Sequence, residues 1–199
     1  KTMTPLVSMT GVTKRFGPII AVEGVDLKLM PGRVHALMGE NGAGKSTLMK
    51  VLAGVLRPTE GTIAIDGKSV AFTDPRQALA AGISTVFQEL SLLPNLSIAE
   101  NMFLGKELTG RFGGPNRTEM NRLTAAALAE LGMTRDPDTL VSELTIAERQ
   151  FVEIAHGIKA DAKVFVLDEP TAALNAADVE ILNQQIQKLT DAGKAVVYI

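Results

Sequence analysis

Gly39-Glu40-Asn41-Gly42-Ala43-Gly44-Lys45-Ser46-Thr47 follows an apolar run containing Val34, Ala36, Leu37 and Met38, and precedes Leu48, Val51, Leu52 and Val55 at helical spacing. Strand, glycine loop and helix in that order predict a phosphate-binding loop of the form Gly-x-x-x-x-Gly-Lys-Ser. Glycines let backbone N–H groups turn inward around a phosphate, a lysine in the place of Lys45 reaches the β and γ oxygens, and a hydroxyl in the place of Ser46 ligates Mg²⁺. An ordinary Gly-rich turn would need neither flank. The expected ligand is a nucleoside triphosphate.

Composition sets outer limits on what such a loop can serve. With 199 residues, 46% of them apolar, the chain can bury a sizeable core as one domain with an inserted lobe. A net charge of −2 gives no basic bias and argues against broad nucleic-acid binding. There is no cysteine, which excludes disulfides and thiolate metal sites. No apolar run approaches the ~20 residues of a membrane span, so a membrane role is expected to come through a partner. The first residue is Lys1, and Ala195-Val196-Val197-Tyr198-Ile199 reads as a buried strand, so both ends are expected to be cuts in a longer chain.

Outward from the loop, Asp66-Gly67 between Thr62–Ile65 and Lys68–Phe72 predicts a two-residue hairpin, because both central positions of that turn need positive φ. Ile83–Phe87 reads as a further strand with Gln88 at its end. From Glu89 to about Ile158 the texture is helical. Met120, Leu123, Ala127, Leu128 and Leu131 recur every 3.6 residues before Gly132, and Phe151, Ile154, Ala155 and Ile158 mark a second helix. Residues 110–117, before the first of these helices, read as a loop. Val164-Phe165-Val166-Leu167 is the continuous apolar run of a parallel strand covered on both faces. A helix with Val179, Leu182, Ile186 and Leu189 on one side follows, closed by Gly193. The order is that of an α/β core interrupted by a helical insertion.

Asp168 and Glu169 stand directly after the Val164–Leu167 run. Ligands of parallel sheets bind beyond the carboxyl ends of the strands, which predicts both carboxylates close to the phosphate loop. Asp168 is then placed to hold Mg²⁺ and Glu169 to orient or deprotonate an attacking water. Thr145 and Glu148 fit Thr-x-x-Glu, a capping box at the start of a helix. The same helix end is also an anion site, and the residues alone leave both readings open.

The phosphate loop, Thr85-Val86-Phe87-Gln88-Glu89, the segment Leu144-Thr145-Ile146-Ala147-Glu148 and Leu167-Asp168-Glu169-Pro170-Thr171 occur in the order of the ABC-transporter ATPase, which the whole chain resembles. Val141–Ala147, followed by Val152-Glu153-Ile154-Ala155, is most similar to the simple-sugar importer branch, whose polypeptides carry two ATPase halves; this chain resembles the first. The resemblance implies a P-loop NTPase (RecA-like) α/β core with a small antiparallel β subdomain, over residues 1–88 and 159–199, and an inserted α-helical subdomain over 89–158. It also implies that Phe16 stacks on adenine, that Gln88 senses Mg²⁺ and faces a membrane subunit, and that Thr145 and Ala147 touch the γ-phosphate of ATP held by the opposite half. The ATP-binding set is then Phe16, Gly39, Glu40, Asn41, Gly42, Ala43, Gly44, Lys45, Ser46, Thr47, Thr145 and Ala147; the catalytic set is Glu169, Gln88 and Lys45; the metal set is Ser46, Gln88 and Asp168.

Departures from the family pattern are Ile146, Glu148 in place of a glutamine, and Asn175 in place of an aspartate. The switch histidine of the family would fall just beyond Ile199; His35 and His156 do not match it and read as structural. The expected activity is ATP hydrolysis powering import of a sugar or related small polar solute, at the cytoplasmic face of the inner membrane. The expected partners are a second ATPase half or a second copy, a permease and, indirectly, a solute-binding protein. Rival readings are a soluble ABC ATPase working on nucleic acid or ribosomes, and a nucleotide-binding module that does not hydrolyse.

Overall fold

The computed structural model describes residues 4–86, 92–110, 113–171 and 174–199. Two four-stranded sheets organise the chain. The first is antiparallel, in the order β2-β1-β4-β5: β1 is Val7–Phe16, β2 Ile19–Leu29, β4 Glu60–Ile65 and β5 Lys68–Val70. The β4–β5 turn at Asp66 (φ 48°) and Gly67 (φ 76°) has positive φ at both central residues, as the dipeptide predicts. The second sheet is parallel, in the order β3-β8-β7-β6: β3 is Val34–Ala36, β6 Ile83–Val86, β7 Val164–Leu167 and β8 Ala195–Tyr198. An ion pair between Lys163, just before β7, and Asp66 ties the hairpin to the second sheet.

Helices fill the spaces between strands: α1 (Lys45–Leu52) after the phosphate loop, α2 (Pro75–Ala80), α3 (Ile98–Met102), α4 (Arg117–Glu130), α5 (Ile146–Lys159) and α6 (Ala176–Asp191). The parallel sheet divides two cores by the alternation of its side chains. Phe165, Leu167 and Val196 face α3 to α6, while Val164, Val166, Ala195 and Val197 face α1 and the antiparallel sheet. All seven are fully buried, which explains the unbroken apolar run of β7. Their central place under two layers makes β7 and β8 intolerant of a volume change.

α5 belongs to both the helical layer and the sheet. It packs with α4, and at Gly157 it lies on β6 and β7, where an added Cβ would overlap Ser84 Oγ and Phe165. Glycine there lets helix and sheet approach more closely than any side chain would permit.

The strand expected before the phosphate loop is present as β3, three residues long and at the sheet edge, with Val34 half exposed and Met38 90% exposed. One expectation needs correction in detail. The helical pattern from Leu48 stops at Leu52, because Gly54 (φ 73°) turns the chain and leaves Val55 exposed. Phe87 and Gln88 lie outside the described residues, as do Glu89 and residues 111–112 of the loop before α4.

Candidate functional site

Strand register gathers the chemistry at one edge of the parallel sheet. Ala36 of β3 is level with Tyr198 of β8, Tyr198 with Leu167 of β7, and Leu167 with Val86 of β6. The segments that follow β3 and β7, the phosphate loop and Asp168-Glu169, therefore leave the sheet at the same end.

The phosphate loop is stiffened by its own backbone and lysine. Ala43 N–H donates to Glu40 O at 3.1 Å, and Leu48 N–H donates to Gly44 O at 2.9 Å, which starts α1. Gly44, the N-cap of α1, has φ 82°, and a Cβ on it would overlap Ala21 O of β2. Only glycine satisfies both demands. Lys45 Nζ donates to Gly39 O at 2.6 Å and to Glu40 O at 2.8 Å. Among the described residues the N–H groups of Lys45, Ser46 and Thr47 have no hydrogen-bond partner, so the first turn of α1 presents three donors and the positive end of its dipole to the loop. This arrangement suits a phosphate chain.

Asp168 is half buried, and its N–H donates to Val86 O at 3.1 Å. Burial and the neighbouring Glu169 charge push its carboxyl pKa up, against a smaller opposing pull from Lys50 and Lys45. Lys45 and Lys50 both belong to α1, so that pull comes from the phosphate-loop helix. Glu169 is exposed, takes φ 48°, and donates its N–H to Ile199 O at 3.2 Å. A non-glycine residue held in the left-handed region at the mouth of a site is a strained conformation maintained by its surroundings.

Those two acids bear on the Mg²⁺ expectation. Among the described residues no cluster of three or more His, Cys, Asp or Glu could cage a metal. Mg²⁺ does not need one, since it keeps water and takes most of its charge partners from phosphate. The exposed Ser46 on the first turn of α1 and a carboxylate whose ionisation is resisted by burial and by Glu169 fit such a loosely held cation.

Phe16 ends β1 with 46% of its surface exposed, and Lys14 Nζ lies 5.1 Å from the ring centroid. It is not a core residue. The hairpin that carries it passes the phosphate loop where Ala21 meets Gly44. No hydrogen bond or ion pair joins Thr145 or Ala147 to the loop among the described residues. They sit at the start of α5, where both halves of the capping box are made: Glu148 N–H donates to Thr145 Oγ at 3.2 Å, and Thr145 N–H donates to Glu148 Oε2 at 2.8 Å. The Ala147 side chain is buried, so what it can offer a ligand is its N–H. Asn175 caps α6 by accepting from Asp178 N–H at 3.0 Å, so this departure keeps the helix start intact.

One residue escaped the sequence reading. Arg135, in the connection between α4 and α5, donates from Nε to Glu148 Oε1 at 2.6 Å. Burial pushes the Glu148 carboxyl up, but the bonds from Arg135 and Thr145 outweigh it and hold the pKa below its ordinary value. The two residues are thirteen apart with no shared periodicity, so only the capping-box signature of Glu148 could have hinted that its carboxylate was engaged.

A glycine-rich phosphate loop between an edge strand and a helix, with an acidic pair two strands away, defines a phosphate-loop α/β protein. The profile of the ABC transporter family matches residues 22–172, and the chain belongs to that family. It is 47% identical over 197 residues to the ribose import ATP-binding protein RbsA 1 of Burkholderia thailandensis, covering 99% of this chain and 39% of that protein. It is 50% identical over 197 residues to RbsA 3 of Rubrobacter xylanophilus, covering 99% of this chain and 40% of that one. It is 49% identical over 195 residues to RbsA of Yersinia pestis, covering 98% and 38%. The chain thus spans about two fifths of the length of these relatives. Among solved structures, a nucleotide-free ATP-binding cassette from an ABC transporter superposes with a TM-score of 0.84 at 24% identity, over 98% of this chain and 81% of that one. The ADP conformation of MJ1267, another such cassette, gives 0.83 at 24%, over the same shares. Those two likenesses carry the fold, which is the one expected from sequence.

Proposed function

We propose that this chain is the first ATP-binding half of a polypeptide that hydrolyses ATP to drive a sugar through a membrane permease. The observation that carries the reading is the shared exit of the phosphate loop and Asp168-Glu169 from one end of the parallel sheet. The relatives, named as ribose import proteins, support a ribose-like sugar or a related small polar solute as cargo. In this reading residues 1–88 and 159–199 form the core with its β subdomain, and 89–158 the helical subdomain that meets the permease.

Residue roles follow from chemistry. Backbone N–H groups of Gly39 to Thr47 and the Lys45 ammonium bind the phosphates, and Phe16 offers a ring to the base. Ser46 and, through water, Asp168 would hold Mg²⁺, with Gln88 as a further partner, and the ion would neutralise phosphate charge when bound. Glu169 orients and deprotonates the attacking water. Thr145 and the N–H of Ala147 complete the site of an opposite half, supplied by the remainder of the polypeptide or by a second copy. Among the described residues no helix is long and apolar enough to cross a membrane, which accords with a peripheral subunit docked on permease subunits at the cytoplasmic face and served indirectly by a solute-binding protein.

The test is reconstitution of the full-length polypeptide with its permease in vesicles. ATP-dependent uptake of radiolabelled ribose or a related sugar is expected. ATP hydrolysis without any stimulation by permease, together with co-purification on ribosomes or DNA, would favour a soluble ABC ATPase instead.

A further inference from the structure

The start of α5 carries a negative charge where an anion is to be received. Glu148 is its third residue, and the N–H groups of Ile146 and Ala147 directly before it have no hydrogen-bond partner among the described residues. An isolated carboxylate there would oppose a γ-phosphate at those donors, since like charges at close range are repelled strongly in a partly desolvated site. In this chain the carboxylate is not isolated. One oxygen accepts from Thr145 N–H at 2.8 Å and the other from Arg135 Nε at 2.6 Å. The side chain of Glu148 is only 21% exposed, so the pair is shielded from bulk water and salt more than an open surface pair would be.

Arg135 is not needed to fasten its own segment. The connection from α4 is already bound to α3 and its N-terminal approach by Ile98 N–H to Thr139 O at 2.9 Å, Ala99 N–H to Pro137 O at 3.0 Å and Val141 N–H to Leu96 O at 3.0 Å. Asn121 Nδ2 adds a bond to Asp138 Oδ2 at 2.9 Å. The Arg135 guanidinium therefore acts chiefly on the charge of Glu148.

We infer that Arg135 is a positioning residue for ATP turnover: by neutralising Glu148 it keeps the start of α5 receptive to the γ-phosphate bound by the opposite ATPase half. The inference rests on the proposed function and deepens it. It predicts a defect in the ATP-dependent closing of the two halves, and so in KM for ATP more than in kcat.

The experiment uses the full-length polypeptide with its permease and measures ATP hydrolysis against ATP concentration, with thermal unfolding as a check on folding. Arg135→Ala is expected to raise KM for ATP about tenfold with at most a small fall in melting temperature, the defect shrinking as salt screens the unpaired carboxylate. Adding Glu148→Gln removes the carboxylate while keeping a capping acceptor, and is expected to return KM to within about twofold of wild type. An unchanged KM in Arg135→Ala, or a double variant as impaired as the single, overturns the inference alone. Absence of ATP hydrolysis by the wild-type assembly overturns the proposed function, and the inference with it.

Discussion

The Lys45 ammonium donates to the carbonyl oxygen of Gly39 at 2.6 Å, so the phosphate loop is bridged across its mouth by the cation proposed to bind the phosphates. With a second bond to Glu40 O at 2.8 Å, Lys45 is held over the loop and preorganised. A triphosphate exchanges two neutral acceptors for charged ones, which bind an ammonium about twice as strongly. Lys45→Ala removes both the charge and its aim. Charge-assisted hydrogen bonds contribute about 1.5–3 kcal/mol each, so nucleotide affinity is expected to fall about a hundredfold or more. Titration calorimetry with ATP checks this, and unchanged affinity would put the nucleotide elsewhere.

Gly44 and Gly42 differ in a way that separates backbone strain from crowding. Both have φ above 80°, but a Cβ at Gly42 meets nothing within 4 Å, whereas one at Gly44 overlaps Ala21 O and comes within 3.0 Å of Val22. Gly42→Ala is expected to cost about 1 kcal/mol of stability, the strain of a left-handed alanine. Gly44→Ala carries that strain and also pushes α1 away from β2, and is expected to cost at least about 2 kcal/mol more. Urea denaturation of the two variants side by side decides; equal losses would mean that the loop relaxes freely away from β2.

Among the described residues Glu169 is the one acid beside the site whose backbone is held at positive φ, anchored by its N–H to Ile199 O. Glu169→Gln preserves size and shape but cannot accept a proton from water. In the full-length assembly, nucleotide binding is expected to persist while phosphate release slows by about 10²–10⁴-fold, the usual contribution of a positioned general base. Turnover at the wild-type rate would remove Glu169 from that role and turn attention to Gln88.

What could be read from the sequence was whatever local chemistry dictates. The phosphate loop needs glycines and a lysine at fixed offsets, the Asp66-Gly67 turn needs two positive φ values, and Thr145 with Glu148 closes a capping box; all three are within a few residues of themselves. α3 carried the same kind of mark, Ser97 and Glu100 in a capping box, and α2 is announced by Asp74 capping a helix with Pro75 at its first position. Position within the sheet was not legible. The apolar run of Val34 to Met38 gives no sign that β3 is an edge strand, and Arg135 looks like any surface arginine until the connection it sits on is folded against α5. Both depend on contacts between segments far apart in the chain, which periodicity does not record.

Lys159 offers a test of the helical layer that needs no nucleotide. It closes α5, donates from Nζ to Met102 O at 2.9 Å and stacks its ammonium on the Phe103 ring, so one side chain joins the end of α5 to the end of α3. Burial, with a smaller push from Lys106, lowers its pKa from the ordinary 10.5 to about 8. The sign follows from linkage: between pH 8 and 10.5 the unfolded chain binds more protons at this residue than the folded one, so stability from this group rises as pH rises through that window. Below pH 8 both states are charged and the folded state carries the full cost of a half-buried ammonium. Lys159→Met keeps the alkyl stem over Phe103 and removes the titration. Across pH 8 to 10 the stability of the wild type is therefore expected to climb relative to that of the variant, by an amount tempered by the partial exposure of the amine. Chemical denaturation of both proteins at several pH values measures it; parallel curves would mean that the ammonium is as well solvated in the fold as in the unfolded chain.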